Sequence, residues 1–354
     1  MRFVPNEAVD CGTFFAKNDY FGQSSCNRVM IGPNTLTDAQ QIAQGYTANR
    51  SGDKVPANAG QFGVGLTAKS SDLKTDFSAY FANVDNTSPV VSVFKSTRTN
   101  PFLPLNPDGK NGSYFMTWPE NVQSLALNFN TRLTDLKFFG QLVYQPNAIF
   151  RINGSDLLNA AASNTAASLI RQTYNSVPLG GIYDGYDRHQ IYQMSLGAEK
   201  AFREVLGADM MIIGGEFGAK YVPDLPDVNQ VRYGRSDVFG IGPVSGFACN
   251  SGTGCSNDGY VTSTAYGYRL RVALLYPNVF SNVDILPSIT FGHDLSGYDN
   301  EEVFFEGRQF LRLSLRGEYR KKYYMELLYA PQWGGNFNLN NDQSYASLTL
   351  GMKF

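Results

Sequence analysis

The residue types most often used for catalysis are scarce in this sequence. There are two histidines, His189 and His293, and no Gly-x-Ser-x-Gly segment of the kind that carries the nucleophile of many hydrolases. His293 precedes Asp294 and shares a segment with Ser288, while His189 follows an Asp-Arg pair. Neither spacing defines a Ser–His–Asp triad, which is recognised by its geometry in the fold rather than by sequence order. We therefore expect no enzyme, no cofactor and no metal site.

Charged residues instead alternate with apolar ones in the C-terminal third of the chain. In 268–276 arginines occupy positions 269 and 271 between apolar neighbours, and in 311–320 Arg312, Arg316 and Arg320 alternate with leucines and a tyrosine. Successive side chains of a β-strand point to opposite faces. Each segment therefore predicts a strand with one charged face and one apolar face.

The same period of two, in segments of about ten residues, runs through most of the chain and identifies the elements that must carry these charges. The predicted strands are 61–69, 73–83, 121–131, 135–145, 189–201, 208–221, 268–276, 284–295, 311–320, 323–332 and 344–354. They are joined by alternately short and long connections, the long ones being 84–120, 146–188, 222–261, 296–307 and 333–343. This arrangement is typical of bacterial outer-membrane barrels, which have short periplasmic turns and long extracellular loops.

We therefore predict an all-β fold, an antiparallel transmembrane β-barrel with 11–12 strands in this chain, belonging to a larger barrel. Residues 1–60 are expected to be a loop-rich extracellular segment and residues 61–354 a single barrel domain. Eleven strands is an odd number, whereas bacterial single-chain barrels have even numbers. Either a strand within 1–60 is missed or further strands precede Met1, and we favour the second explanation. The first residues also lack the apolar stretch of a signal peptide.

The charged faces would line the interior of such a barrel, because a charge facing hydrocarbon at mid-depth costs about 2–4 kcal/mol. The predicted lumen-facing residues are Arg269, Arg271, Arg312, Arg316, Glu318, Arg320, Glu326, Glu199 and Glu216. Two interpretations of this set remain open. It either selects the solutes that pass or bind, or forms an Arg/Glu network that only fills and stiffens the interior.

Composition agrees with a barrel and argues against several other classes. The formal charge is −2, from 29 basic and 31 acidic residues, so no nucleic-acid partner is expected. Aromatic residues make up 14% of the chain, and the mean hydropathy is −0.25. No run of about 18 apolar residues predicts a transmembrane helix.

Four cysteines form two local pairs, Cys11 with Cys26 and Cys249 with Cys255, each in a Gly/Asn/Ser-rich stretch. We predict two disulfides and hence an oxidising compartment. A zinc site is the weaker interpretation, since no short Cys-x₂₋₄-Cys spacing occurs. One helix is predicted within 156–171, which is rich in Ala and Leu, capped by Ser155 or Asp156.

Several segments, in order along the chain, resemble the DUF1302 family of proteobacterial outer-membrane proteins. They are Gly12-Thr13-Phe14-Phe15 with Asn18-Asp19-Tyr20, Gly60-Gln61-Phe62-Gly63-Val64, Asn128-Phe129-Asn130-Thr131, Gln141-Leu142-Val143-Tyr144-Gln145-Pro146-Asn147, 291–298, Glu306-Gly307-Arg308 and Gly334-Gly335-Asn336. The chain resembles the C-terminal portion of a longer member.

The resemblance implies an outer-membrane location in a Gram-negative bacterium. It also implies cooperation with an RND-type exporter and a periplasmic carrier protein in moving lipids or other hydrophobic small molecules. We therefore expect a porin-like conduit for hydrophobic or amphipathic molecules, surrounded by outer-membrane lipid. The alternatives are a structural or surface-binding barrel with a plugged lumen and, third, a lipase-like hydrolase using His189 or His293.

Overall fold

The computed structural model describes residues 2–4, 28–31, 36–57, 59–249, 253–301 and 303–353. Its strands are β1 (Arg2–Val4), β2 (Arg28–Met30), β3 (Thr47–Arg50), β4 (Phe62–Ser70), β5 (Thr75–Val84), β6 (Val90–Phe94), β7 (Ser113–Thr117), β8 (Val122–Leu133), β9 (Leu136–Arg151), β10 (Ile182–Tyr183), β11 (Tyr186–Val205), β12 (Ala208–Tyr221), β13 (Thr264–Phe280), β14 (Val283–Ser296), β15 (Gln309–Tyr319), β16 (Tyr323–Ala330), β17 (Gln332–Trp333) and β18 (Tyr345–Met352). Its helices are α1 (Asp38–Ala43), α2 (Gly154–Ala162) and α3 (Arg171–Ser176).

Eleven long strands form one antiparallel sheet in the order β18, β16, β15, β14, β13, β12, β11, β9, β8, β5, β4, and the short β17 pairs with β15. They correspond one to one to the eleven segments predicted from alternation, so the mostly β, antiparallel fold is confirmed. Within the described ranges β4 and β18 each have a single neighbour. The sheet is thus not closed on itself, and the barrel is not confirmed.

The register between neighbouring strands keeps the two faces of this sheet chemically distinct. Leu313, for example, lies opposite Ile289 of β14 and Tyr329 of β16. On the same face the following large apolar side chains are exposed: Phe62, Val64, Leu66, Phe77, Leu125, Leu127, Leu142, Leu196, Ile213, Leu270, Ile289, Leu313, Leu315, Leu327, Leu348 and Leu350. We call this side the apolar face and the opposite side the polar face. The leucines of 311–315 are therefore not packed in a core: Leu315 is 48% exposed.

Short and long connections lie at opposite ends of the sheet, as the sequence predicts. The short ones are 71–74, 134–135, 206–207, 281–282 and 320–322, and the long ones are 85–121, 152–185, 222–263, 297–308 and 331–344. Leu206 and Gly207 both have positive φ, 55° and 74°. Two such residues form the type I′ turn, whose twist matches that of the strands it joins.

The long connections and the N-terminal region build a second structure, which we call the cap: the six-stranded sheet β1-β2-β3-β7-β6-β10 together with α2 and α3. Strands from both sides of residue 60 therefore share one sheet. The core of the cap includes Tyr114, Leu157 and Tyr174, and it also takes in Phe150 of β9 and Ile191 of β11. The cap thus packs on the loop ends of the large sheet.

Helix α2 lies in the Ala/Leu-rich stretch predicted to be helical, but its cap differs from the prediction. The side chain of Asn153, rather than Ser155 or Asp156, accepts a hydrogen bond from the N–H of Asp156 at 3.2 Å. The hydroxyl of Ser155 instead donates to the carboxylate of Asp237 at 2.8 Å. No helix within the described part of the chain combines the length and the apolar character needed to cross a membrane.

A buried ion pair joins two of the long connections inside the cap. The guanidinium of Arg232 donates to both carboxylate oxygens of Asp156 at 2.8 and 2.9 Å, and both side chains are completely buried. Asp156 also accepts from the N–H of Leu169 at 3.0 Å. The pair therefore ties the start of α2 to the 222–263 connection.

Replacing Arg232 by Met should destabilise the cap by about 3–5 kcal/mol, because the Asp156 carboxylate would remain buried without its cation. The measurement is urea unfolding in non-ionic micelles, followed through the protease resistance of residues 90–185. The control is Lys200→Met, which removes one member of an exposed pair with Asp135 (3.7 Å) and should cost about 0–1 kcal/mol. Equal losses in the two variants would contradict the role given to Arg232.

Candidate functional site

The predicted charged residues that lie within strands share the polar face of the large sheet. Arg271 lies opposite Gly214 of β12 and Thr290 of β14, and Thr290 in turn lies opposite Arg312 of β15. Glu199 of β11 extends the same row on the far side of Gly214. Residues that are distant in sequence are therefore aligned across five neighbouring strands.

The next row toward the long connections contains a second alignment. Glu216 of β12 lies opposite Arg269 of β13, which lies opposite Gly292 of β14. Each of these two cross-strand rows thus combines charged residues with glycines or short polar residues on the polar face. Arg320 does not belong to them, because it lies in the turn after β15 with φ 51° and is exposed.

At the C-terminal edge the charges neutralise one another. The guanidinium of Arg316 donates to the carboxylate of Glu318 at 2.5 Å, and the ammonium of Lys353 donates to the same carboxylate at 3.2 Å. Arg316 also lies over the ring of Tyr324, 4.1 Å from its centroid. Glu326 accepts a hydrogen bond from Ser314 at 2.7 Å. This part of the set forms a paired network that fills space beside the sheet.

Three arginines near the middle of the sheet are not compensated in this way. Within the described residues Arg269, Arg271 and Arg312 form no ion pair within 4.0 Å, and all three are exposed on the polar face. Glu199, the carboxylate in the row of Arg271, is instead 3.5 Å from the ammonium of Lys137. On the polar face, therefore, Arg316 is paired with a carboxylate, whereas the described part of the chain provides no such partner for Arg269, Arg271 and Arg312.

Aromatic rings lie over some of the glycines on the polar face. The ring of Phe310 covers Gly292, and the ring of Phe139 covers Gly197, so a Cβ atom at either glycine would collide with the ring. The guanidinium of Arg269 is 5.5 Å from the centroid of Phe310. Apolar surface and positive charge thus lie side by side on this face.

The 297–308 connection folds back over the polar face instead of projecting away from it. The ring of Phe304 lies against Gly218 of β12, and the side chain of Asn300 donates to the carbonyl of Ile149 at 3.2 Å. Its base is fixed by Arg308, whose guanidinium donates to Asp294 at 2.6 Å. Both side chains of that pair are almost buried.

Between this segment and the sheet lies a cavity of about 240 Å³. Its lining includes Gln193, Glu216, Arg269, Glu301 and Phe304. The cavity therefore offers carboxylates, a guanidinium, an amide and an aromatic ring to a bound molecule.

A buried lysine of β12 holds the inward segment, and a buried carboxyl within the segment braces it. The ammonium of Lys220 donates to the carbonyl of Tyr298 at 2.7 Å, and Asp299 accepts from the N–H of Val303 at 2.8 Å. Burial raises the pKa of the Asp299 carboxyl, while the charge of Lys220 acts in the opposite direction. Together with the pair of Arg308 and Asp294 at its other end, these contacts anchor the segment at both ends.

The two histidines lie apart from this cavity and from each other. His189 is hydrogen-bonded through Nε2 to the hydroxyl of Tyr233 at 2.9 Å, and that hydroxyl donates to Asp187 at 2.7 Å. His293 lies opposite Tyr268, with the ring centroids 6.0 Å apart. Within the described residues neither histidine forms a hydrogen bond to a serine or threonine.

Cys249 and Cys255 form a disulfide with their Cα atoms 5.5 Å apart. Cys11 and Cys26, the other predicted pair, lie outside the described residues.

Sequence reasoning missed the inward fold of 297–308 and the contacts between aromatic rings and glycines on the polar face. The one available signal was Phe304-Phe305, two aromatic residues inside an otherwise acidic loop.

A family model described as "Protein of unknown function (DUF1302)" covers residues 1–354, the whole chain. No curated protein matches the chain.

Replacing Arg308 by Met should release the 297–308 segment, because Asp294 would lose the cation that neutralises it in an almost dry site. We expect cleavage by subtilisin within 297–308 to become at least about tenfold faster, as a loss of about 1.4 kcal/mol would produce. Mass spectrometry of the fragments measures the rate. Lys322→Met, an exposed change in the 320–322 turn, serves as control. An unchanged rate for Arg308→Met would show that the pair does not anchor the segment.

Proposed function

The chain belongs to the DUF1302 family, and we propose that it is an outer-membrane β-barrel of a Gram-negative bacterium that conducts hydrophobic or amphipathic, lipid-like molecules. The observation that carries this proposal is the exposed apolar face. It runs without interruption across eleven strands, far beyond the single patch of a few hundred Å² that a soluble protein exposes. Lipid hydrocarbon is the solvent that suits such a face.

In lipid the edges β4 and β18 need hydrogen-bonded neighbours, because an unpaired backbone group in hydrocarbon costs several kcal/mol. The proposed barrel is therefore closed around the polar face, which becomes its lumen. The charges, amides and aromatic rings of that face then line the path of the transported molecule. The cap lies at the end of the long connections, which is the outer side in barrels of this type.

The proposed partners are an RND-type exporter and a periplasmic carrier protein, which would meet the barrel at its short-turn end. Support for them comes from the family resemblance. The aromatic rings that lie beside cations on the polar face support an amphipathic conduit. Such a conduit suits molecules with both a polar and an apolar part. Within the cap, the 152–185 segment with α2 and α3 is the proposed gate.

A second candidate is a structural or surface-binding barrel whose lumen is plugged. The specific observation in its favour is that the 297–308 segment lies on the polar face, with a folded cap above it. The hydrolase alternative has weaker support, because His189 is hydrogen-bonded to the tyrosine hydroxyl of Tyr233 and, within the described residues, neither histidine is hydrogen-bonded to a serine or threonine.

Arginine substitutions at adjacent positions of β18 test the membrane assignment. Leu348 lies on the apolar face and Thr349 on the polar face, and both are exposed. Leu348→Arg should weaken folding into phospholipid vesicles by about 2–4 kcal/mol, because the charge would face acyl chains. Thr349→Arg, the matched control, should change it far less. The measurement is urea-dependent folding into vesicles, and equal effects of the two changes would refute the proposal.

Bilayer recordings distinguish the open conduit from the plugged barrel. We expect the full chain to give stepwise ion currents in planar bilayers, with larger steps for Phe304→Ala, which removes a ring from the polar face. Phe247→Ala, a change at an exposed aromatic residue outside the sheet, is the control and should leave the steps unchanged. Silence from both the native chain and Phe304→Ala would favour the plugged barrel.

A further inference from the structure

We propose that Arg271 and Arg312 hold the anionic head group of a long-chain amphiphile, with its chain lying along the aromatic rings of the polar face. This inference rests on the proposed conduit function and names the class of molecule that it conducts. The ligand chemistry is a carboxylate on a long hydrocarbon chain.

The first argument is the placement of the two cations. Both lie in one row of the sheet, separated only by Thr290. Neighbouring strands are about 4.8 Å apart, so their Cα atoms are separated by about 10 Å. Two arginine side chains rooted at that distance can converge on one anion above Thr290, whose hydroxyl supplies a further donor.

The second argument is that neither cation is paired with a carboxylate of the described residues. Among the described residues, Arg271 and Arg312 have neither an ion pair nor a hydrogen bond from the guanidinium, whereas Arg316 in the same strand as Arg312 is bound to Glu318. The nearest carboxylate in the row, Glu199, is separated from Arg271 by Gly214 and is paired with Lys137. A guanidinium fork matches a carboxylate with two parallel hydrogen bonds, so a ligand carboxylate suits this place.

The third argument is the apolar surface next to the cations. Phe310 lies two residues before Arg312 on the same face and covers Gly292. Further toward the cap, the cavity beneath 297–308 is lined by Val143, Val303 and Phe304 as well as by polar and acidic groups. A hydrocarbon chain leaving the head-group site in this direction finds aromatic and aliphatic contacts, which a small inorganic anion would not use.

The test compares a fluorescent long-chain fatty acid with its methyl ester, using the full chain in non-ionic detergent micelles. The native protein should bind the acid at least about tenfold more tightly than the ester, because an ester cannot form a charge-assisted hydrogen bond. A competing short-chain acid, butyrate, should displace neither ligand at equal concentration, because it lacks the chain.

Variants locate the head group. Arg271→Gln and Arg312→Gln should each weaken binding of the acid by about tenfold or more and leave binding of the ester unchanged, because only the charged contact is lost. Arg203→Gln is the matched control. Arg203 of β11 is also an exposed arginine on the polar face, but it lies near the short turns, away from Arg271 and Arg312. Arg271→Lys should restore part of the affinity because it retains the charge.

The outcomes separate this inference from the proposed function. Equal affinity of the native protein for acid and ester would overturn the head-group site while leaving a conduit for hydrophobic molecules in place. Binding of neither ligand would count against the conduit as well. Displacement by butyrate as effective as by the long-chain acid would mean a site for small anions only, and an equal loss in Arg203→Gln would mean a diffuse effect of charge. Either result overturns the proposal.

Discussion

Cross-strand register is the constraint on which the rest of this structure depends. Because strand side chains alternate with a period of two, a slip of one residue between two strands would transfer a complete set of leucines to the other face. Ile289, Leu313 and Tyr329 on three adjacent strands show that no such slip occurs there. The exposed apolar face and the charged polar face are two consequences of this one alignment.

The cap meets a different physical requirement. Besides its apolar core, the buried pair of Arg232 and Asp156 joins two of its long connections. A buried ion pair adds little net stability compared with apolar residues of similar size, but it strongly disfavours arrangements that separate the charges. Combined with the aromatic core around Tyr114, Phe150 and Tyr174, the pair holds long loops in one position above the sheet.

On the polar face, glycines make room for aromatic rings, and arginines lie beside these rings. Gly292 and Gly197 lack the side chains that would keep Phe310 and Phe139 away from the backbone, so the rings lie directly over the two glycines. The arginines beside them differ in how they are neutralised: Arg316 is paired with Glu318, whereas Arg271 and Arg312 form no ion pair with a carboxylate in the part of the chain that the structure describes. The network interpretation therefore describes the edge at Arg316 and Glu318, whereas selection of solutes by the other arginines stays a prediction.

The sequence by itself determined the eleven strands, the separation of their two faces and the alternation of short and long connections, because each follows from local periodicity. It also paired Cys249 with Cys255, which are close in the chain. Only the tertiary structure decided that Arg271 and Arg312 share a row, that Phe304 lies on Gly218 and that Asn153 caps α2. These contacts join residues through register, through a folded-back loop or through a choice among neighbouring capping residues. Hydrophobic alternation within one segment carries no information about such long-range geometry.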